Sequence, residues 1–127
     1  MAIFGIGAYH NDEDVSGDFI ENQVACIGWS IDDAPSLHHM LGTLKIGDLI
    51  YIKSAPIGKL RIKAVGIIIN NEIKTVDKLG KGLTVNWTWR GVEKFDISDK
   101  YNVRNNSLYE EFNSEIQKFV IEKIISK

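Results

Sequence analysis

Apolar and polar positions fall along this chain in short runs of differing period. Ile3–Ala8 is apolar throughout and has the length of a buried strand. The polar break Asn11-Asp12-Glu13-Asp14 follows, and Val15–Glu21 fits a short helix with Phe19 and Ile20 facing inward. Val24–Trp29 is a second apolar run of strand length. Pro35 has a fixed φ suited to the first turn of a helix, and Leu37, Met40, Leu41 and Leu44 continue at helical spacing. Gly47-Asp48 turns the chain into a strand at Leu49–Lys53, and Pro56-Ile57-Gly58 separates it from a longer strand at Leu60–Ile69. Polar and apolar residues alternate over Leu60–Ala64, which predicts a strand with one wet face carrying Arg61 and Lys63. Asn70-Asn71 signals a turn. Leu83–Arg90 and Val92–Phe95 read as two strands broken at Gly91. Ser107-Leu108-Tyr109-Glu110 fits a capping box, in which the Ser and Glu side chains satisfy each other's backbone N–H groups. The helix predicted behind it, over about residues 107–125, puts Leu108, Phe112, Ile116, Phe119, Val120 and Ile124 on one stripe.

Six strands and two or three helices without a regular strand–helix–strand alternation predict an α+β fold, a small, mixed, partly closed β-barrel with flanking helices. No repeat or linker-like tract interrupts the 127 residues, so one domain is expected over 1–127. A content of 44% hydrophobic and 25% charged residues excludes a disordered chain. The single Cys26 excludes an internal disulfide. Met-Ala-Ile-Phe lacks the basic start and apolar stretch of a signal peptide, and no apolar run reaches the roughly 18 residues of a membrane span, so a cytoplasmic location away from membranes is expected.

The net charge of −2 is unevenly spread. Residues 1–44 carry seven acids and no Lys or Arg, whereas residues 45–104 carry twelve Lys and Arg against six acids. Phosphate neutralisation supplies most of the affinity of a generic nucleic-acid binder, so any such contact here is confined to one face. The alternative is that these cations occupy the solvent side of strands.

Enzyme chemistry is weakly signalled, and no catalytic residue, metal site or cofactor is expected. His38 and His39 are adjacent on a predicted helix and point about 100° apart, unlike the i, i+4 pair of a one-helix zinc site. Cys26 lies inside an apolar strand, where a thiol is usually an inert filler. Gly5-x-Gly7 does not complete a dinucleotide fingerprint, and Gly80-Lys81-Gly82 lacks phosphate-loop spacing. The cluster Asp12-Glu13-Asp14 could bind a metal, but reads first as a solvated loop. The aromatic residues carry more. Trp87 and Trp89, two apart in a strand, are expected on one face, one as packing and the other lining a pocket. Trp29 and Tyr9 end strands, and Tyr51 sits in the strand after Gly47-Asp48; strand ends are where barrels tend to place binding residues.

Several segments together resemble the EVE-like domains of the PUA-like superfamily. Phe19-Ile20-Glu21-Asn22-Gln23-Val24-Ala25-Cys26-Ile27-Gly28-Trp29 resembles the segment that follows the opening strand in that group. Ile46–Lys53 is similar to its "GD" strand, Leu60–Ile68 to the next, and Val85-Asn86-Trp87 to its later "V-x-W" strand. The resemblance spans about residues 3–90, in order. It implies a small β-barrel whose cavity accepts a flipped or free modified base, as in EVE, YTH and related readers, several of which serve modification-dependent restriction systems. Carried over, the pocket would be formed by Trp29, Ser30, Tyr51, Lys53, Ser54 and Trp87, with Tyr9, His10, Ser30 and Ser54 reading the base edge. For a polynucleotide, Lys53, Lys59, Arg61, Lys63 and Arg90 would form a rim. Two departures stand out: no nuclease motif follows, and the first third is acidic.

Three functions are therefore in play. The first is a non-catalytic reader of a modified base in DNA or RNA. The second is a binder or sequestering protein for a free nucleotide or nucleotide-derived signal, as in phage–host defence or anti-defence; a small-molecule sensor that meets an effector protein in trans is a variant of it. The third is a protein-interaction adaptor whose aromatics are all core. Trp29, Tyr51 and Trp87 are expected to approach one cavity.

Overall fold

The structure, a computed structural model, describes residues 1–54, 59–96 and 106–126. The elements are β1 (Ile3–Gly7), β2 (Tyr9–His10), β3 (Glu13–Asp14), α1 (Ser16–Asn22), β4 (Val24–Ile27), α2 (Pro35–Leu41), β5 (Leu49–Ser54), β6 (Leu60–Val76), β7 (Gly80–Phe95), β8 (Leu108–Glu110) and α3 (Ser114–Ile125). Six strands form one strongly curled, half-barrel sheet in the order β4-β7-β6-β5-β1-β8, with β2 and β3 as a separate hairpin. Among the described residues the architecture is α+β, a partly closed barrel with three helices. β1 and β5 pair in parallel, and the other neighbours in the sheet are antiparallel. A parallel pair needs a long crossover, supplied here by the chain from β2 through α2.

The sheet carries a core on each face. One face packs Phe4, Ile6, Ile50, Ile52, Ile68 and Val85 against Phe19 of α1 and Leu41 of α2. The other packs Ile3, Leu49, Tyr51, Val65 and Tyr109 against Ile116 and Val120 of α3. Two buried faces explain why β1, β4 and β5 read as continuous apolar runs instead of alternating ones. The Gly47-Asp48 pair has a definite role at the edge of this arrangement. Gly47 takes φ 95°, a left-handed conformation that costs glycine nothing. The Asp48 carboxylate then accepts hydrogen bonds from the backbone N–H of Ala2, at 3.0 Å, and of Lys45, at 2.8 Å. It thereby ties the entry of β1 to the entry of β5.

Four expectations are corrected. The chain does not turn at Asn70-Asn71 but stays in β6 to Val76, because Asn70 accepts the Glu72 N–H and the strand bulges there. The turn comes at residues 77–79, with Lys78 at φ 68°. β7 runs unbroken through Gly91, which a register shift absorbs. Ser107 does not cap a helix: Leu108–Glu110 pairs with β1, and the helix begins at Ser114, where Asn113 accepts from the N–H groups of Glu115 and Ile116. Of the predicted stripe, Ile116 and Val120 are buried by α3, Leu108 is buried on the opposite face of the sheet, and Phe112 is exposed. The arginine and lysine of Leu60–Ala64 do not share a regular strand face. Ile62 and Ala64 belong to different cores, so the alternation breaks at the bulged Lys63.

Candidate functional site

Parallel pairing brings the ends of β1 and β5 side by side, with Gly7 opposite Lys53. Gly7 N–H donates to the Ser107 carbonyl at 2.8 Å, which fixes the start of β8 beside them. Past Ala8, the chain folds back in a tight hairpin. Tyr9 faces Asp14 and His10 faces Glu13, and the two-residue loop Asn11-Asp12 has φ 52° and 63°. Positive φ at both loop positions is the mirror-image turn that hairpin twist favours, and Asn and Asp tolerate it. The polar break in the sequence is therefore a structured turn.

This hairpin, the strand ends and the segment after β4 enclose a cavity of about 350 Å³ lined by Gly7, Tyr9, His10, Asn11, Asp12, Gly28, Trp29, Lys53 and Ser107. A second cavity, of about 370 Å³, adjoins it through Gly7, Tyr9 and Lys53 and adds Ala8, Asp14, Ile52, Ser54 and Lys63. Both sizes lie within the usual range of small-ligand sites. Trp29 is 58% exposed and Tyr9 67%. The Trp29 indole N–H donates to the Ser107 hydroxyl at 3.3 Å, and its carbonyl accepts from His38 Nε2 at 2.7 Å. His38, on α2, thus positions Trp29.

His10 is half-buried, edge-on to Phe19 at 5.6 Å between ring centroids. Its ring lies against Gly28: a Cβ there would be 2.7 Å from two of the imidazole carbons. Only glycine leaves room for this wall of the cavity. Burial lowers the His10 pKa, and its buried Nδ1 has no hydrogen-bond partner among the described residues. Lys53 also has a pKa lowered by burial, and its ammonium lies 5.8 Å from the centre of the Tyr109 ring. Asp14 pairs with Lys63 at 2.6 Å and accepts from Ser16 N–H and Oγ at 2.9 and 2.6 Å. Burial opposes ionisation of Asp14, but the Lys63 and Ser16 hydrogen bonds outweigh it and hold the carboxyl at about 2.

Tyr9, His10, Trp29 and Lys53 are thus brought around one cavity, and Ser54 and Lys63 join Tyr9 and Lys53 around the other. The remaining candidates lie elsewhere. Tyr51 is fully buried on the α3 face of the sheet, where its hydroxyl donates to Glu111 Oε1 and shares a hydrogen bond with Tyr109, both at 2.6 Å. Burial, with Tyr109 and Glu111 beside it, raises its pKa. Trp87 packs on the other core, and its indole N–H donates to the carbonyls of Phe19, at 3.2 Å, and Val24, at 3.1 Å. Trp29, Tyr51 and Trp87 therefore do not approach one cavity. Ser30 is exposed and accepts the Asp33 N–H at 3.2 Å. Lys59, Arg61 and Arg90 are exposed and line neither cavity. The sequence reading missed Asn11, Asp12, Asp14, Gly28 and Ser107 as lining residues. The two-residue Asn-Asp loop and the glycine before Trp29 were the signals available.

Cys26 is fully buried, and burial, partly offset by Lys74, pushes its thiol up to about 12. Among the described residues, no group of three or more His, Cys, Asp or Glu could hold a metal ion, and no helix is long and apolar enough to cross a membrane. No protein-family model matches the chain, and no curated protein matches its sequence.

Proposed function

We propose that the chain is a non-catalytic binding domain of the EVE-like, PUA-like type whose cleft between Tyr9, His10, Trp29 and Lys53 takes a nucleobase, presented as a modified or flipped base of DNA or RNA. The observation that carries this reading is a pair of largely exposed aromatic side chains, Tyr9 and Trp29, on one cavity with the polar groups of His10, Asn11, Asp12 and Ser107. Stacking on an aromatic face is worth about 1–3 kcal/mol per base. Reading a flipped base also needs donors and acceptors at its edge, which those four residues supply. The curled sheet with helices on it is consistent with the resemblance of the sequence.

A free nucleotide, or a signal derived from one, is the second reading, with any effector acting in trans. It is favoured by the cations: Lys59, Arg61 and Arg90 line neither cavity, while Asp12 and Asp14 offset Lys53 and Lys63 there.

Titration of the chain with common and base-methylated nucleosides, nucleotides and short oligonucleotides tests both readings. Trp29→Ala and Tyr9→Ala are each expected to weaken binding by about 1–3 kcal/mol, the worth of one stacked ring. Full affinity in the double variant would overturn base binding in this cleft.

A further inference from the structure

We infer that the ligand of this cleft is a free nucleoside monophosphate, with its base in the Trp29–His10 cavity and its phosphate in the adjoining cavity of Lys53 and Lys63. The inference rests on the second of those readings, a free nucleotide bound by its base, and adds the number of phosphates and the ligand's orientation. The two cavities differ in chemistry. The first holds two exposed aromatic side chains and neutral hydrogen-bonding groups beside Asp12 and Lys53. The second holds two lysines, the Ser54 hydroxyl and the single carboxylate of Asp14, with only one exposed aromatic, Tyr9, which it shares with the first. Tyr9 and Gly7 form the common wall, so one small molecule can lie across it with its sugar beside Tyr9.

Charge sets the number of phosphates. Two lysines and one aspartate leave the second cavity with a net charge of about +1 when all three are ionised. A phosphate monoester carries about −1.5 to −2 at neutral pH, which already offsets that net charge in full. Further phosphates would meet the Asp14 carboxylate. That carboxylate is anchored from its own segment by Ser16 N–H and Oγ, so it stays in place when Lys63 leaves it. Lys63 is the movable partner, on a side chain that remains partly exposed, and an arriving phosphate competes with Asp14 for it.

The test is calorimetric titration of the intact chain with common and base-methylated nucleosides, each against its own monophosphate. A monophosphate is expected to bind at least about tenfold tighter than its nucleoside, since hydrogen bonds to charged groups are among the stronger ones. Lys63→Gln should bring that ratio close to one, while Lys63→Arg, which keeps the charge, should preserve most of it. Thermal melts establish that both variants fold, and if Lys63→Gln does not, the wild-type ratio and Lys63→Arg still decide. Equal affinities for nucleoside and monophosphate, or a ratio indifferent to Lys63→Gln, overturn the phosphate assignment and leave base binding standing. Binding that is indifferent to Trp29→Ala, or absent for every compound, overturns base binding and this inference with it.

Discussion

His10 is a side chain of the cleft whose charge is constrained by packing. Its ring is held between Phe19 and Gly28, and its buried Nδ1 has no partner among the described residues. A proton on this ring would add a charge with little water around it, and burial accordingly lowers its pKa from 6.5. As the pH falls, the unfolded chain therefore takes up this proton before the folded one does. Stability contributed by the neutral ring is present above about pH 6.5, declines as the pH falls from there and stops declining below the folded pKa. Between about pH 5.5 and about pH 7.5 the Asp14 carboxyl, held at about 2 in the folded chain and ordinary in the unfolded one, is ionised in both states and adds almost no slope. We expect a lower Tm at about pH 5.5 than at about pH 7.5, and a smaller difference in His10→Gln. An unchanged difference in that variant would assign the pH dependence to another group. At this scale the sequence was partly legible. Tyr9 and Trp29 stand at strand ends, where exposure is common, so their place at a cleft could be anticipated. The contact of His10 with Gly28 joins residues eighteen apart through a hairpin, and no local pattern carries it.

Trp87 and Trp89 illustrate how an element can defeat a pattern. Two strand residues two apart should share a face. Here Val65 pairs with Trp89 and Gly66 with Trp87, so Thr88 is the extra residue of a bulge and the faces switch. Trp87 joins Leu83 and Val85 on the core beneath α1 and α2, and Trp89 meets Phe119 of α3 at 5.4 Å on the opposite side. Trp87→Ala would remove a large ring from the core and leave the Phe19 and Val24 carbonyls without the indole N–H. We expect it to cost about 3–5 kcal/mol of stability in denaturant unfolding. A variant that keeps its stability and loses only its ligand would restore Trp87 to the cleft. The same physics explains which elements the sequence revealed. β1, β4, β5 and α2 were legible because apolar runs and helical spacing mark them directly. Tyr51 was assigned to a pocket from its place in the strand after Gly47-Asp48 and from the resemblance, and the continuous apolar run around it does not say which of two buried faces it joins. The capping pattern at Ser107 lost to the unpaired edge of β1, which Leu108–Glu110 fills, while Asn113-Ser114-Glu115 carries the cap that forms.

On the scale of the whole molecule, charge decides between a polymer and a small ligand. The acidic first third and the basic middle meet at the cleft, where Asp14 from the one pairs with Lys63 from the other. The basic segment is thus partly spent on its own chain. Lys53 and Lys63 line the cavities, whereas Lys59, Arg61 and Arg90 do not. The expected cationic rim required a regular alternation through Lys63, and the bulge there removes it. Each phosphate neutralised on a single strand contributes about −0.7 to the slope of log affinity against log salt. With two cations at the cleft, a short single-stranded oligonucleotide is expected to show a slope of about −1.4, and a mononucleotide a shallower one. Titrations between about 50 and about 200 mM salt measure it, with Lys63→Gln reducing the oligonucleotide slope by about 0.7. A slope of about −3 or steeper would require at least two further cations on the strand. Lys59, Arg61 and Arg90 would then have to converge on the bound polymer, and a reader of polynucleotides would displace the mononucleotide binder.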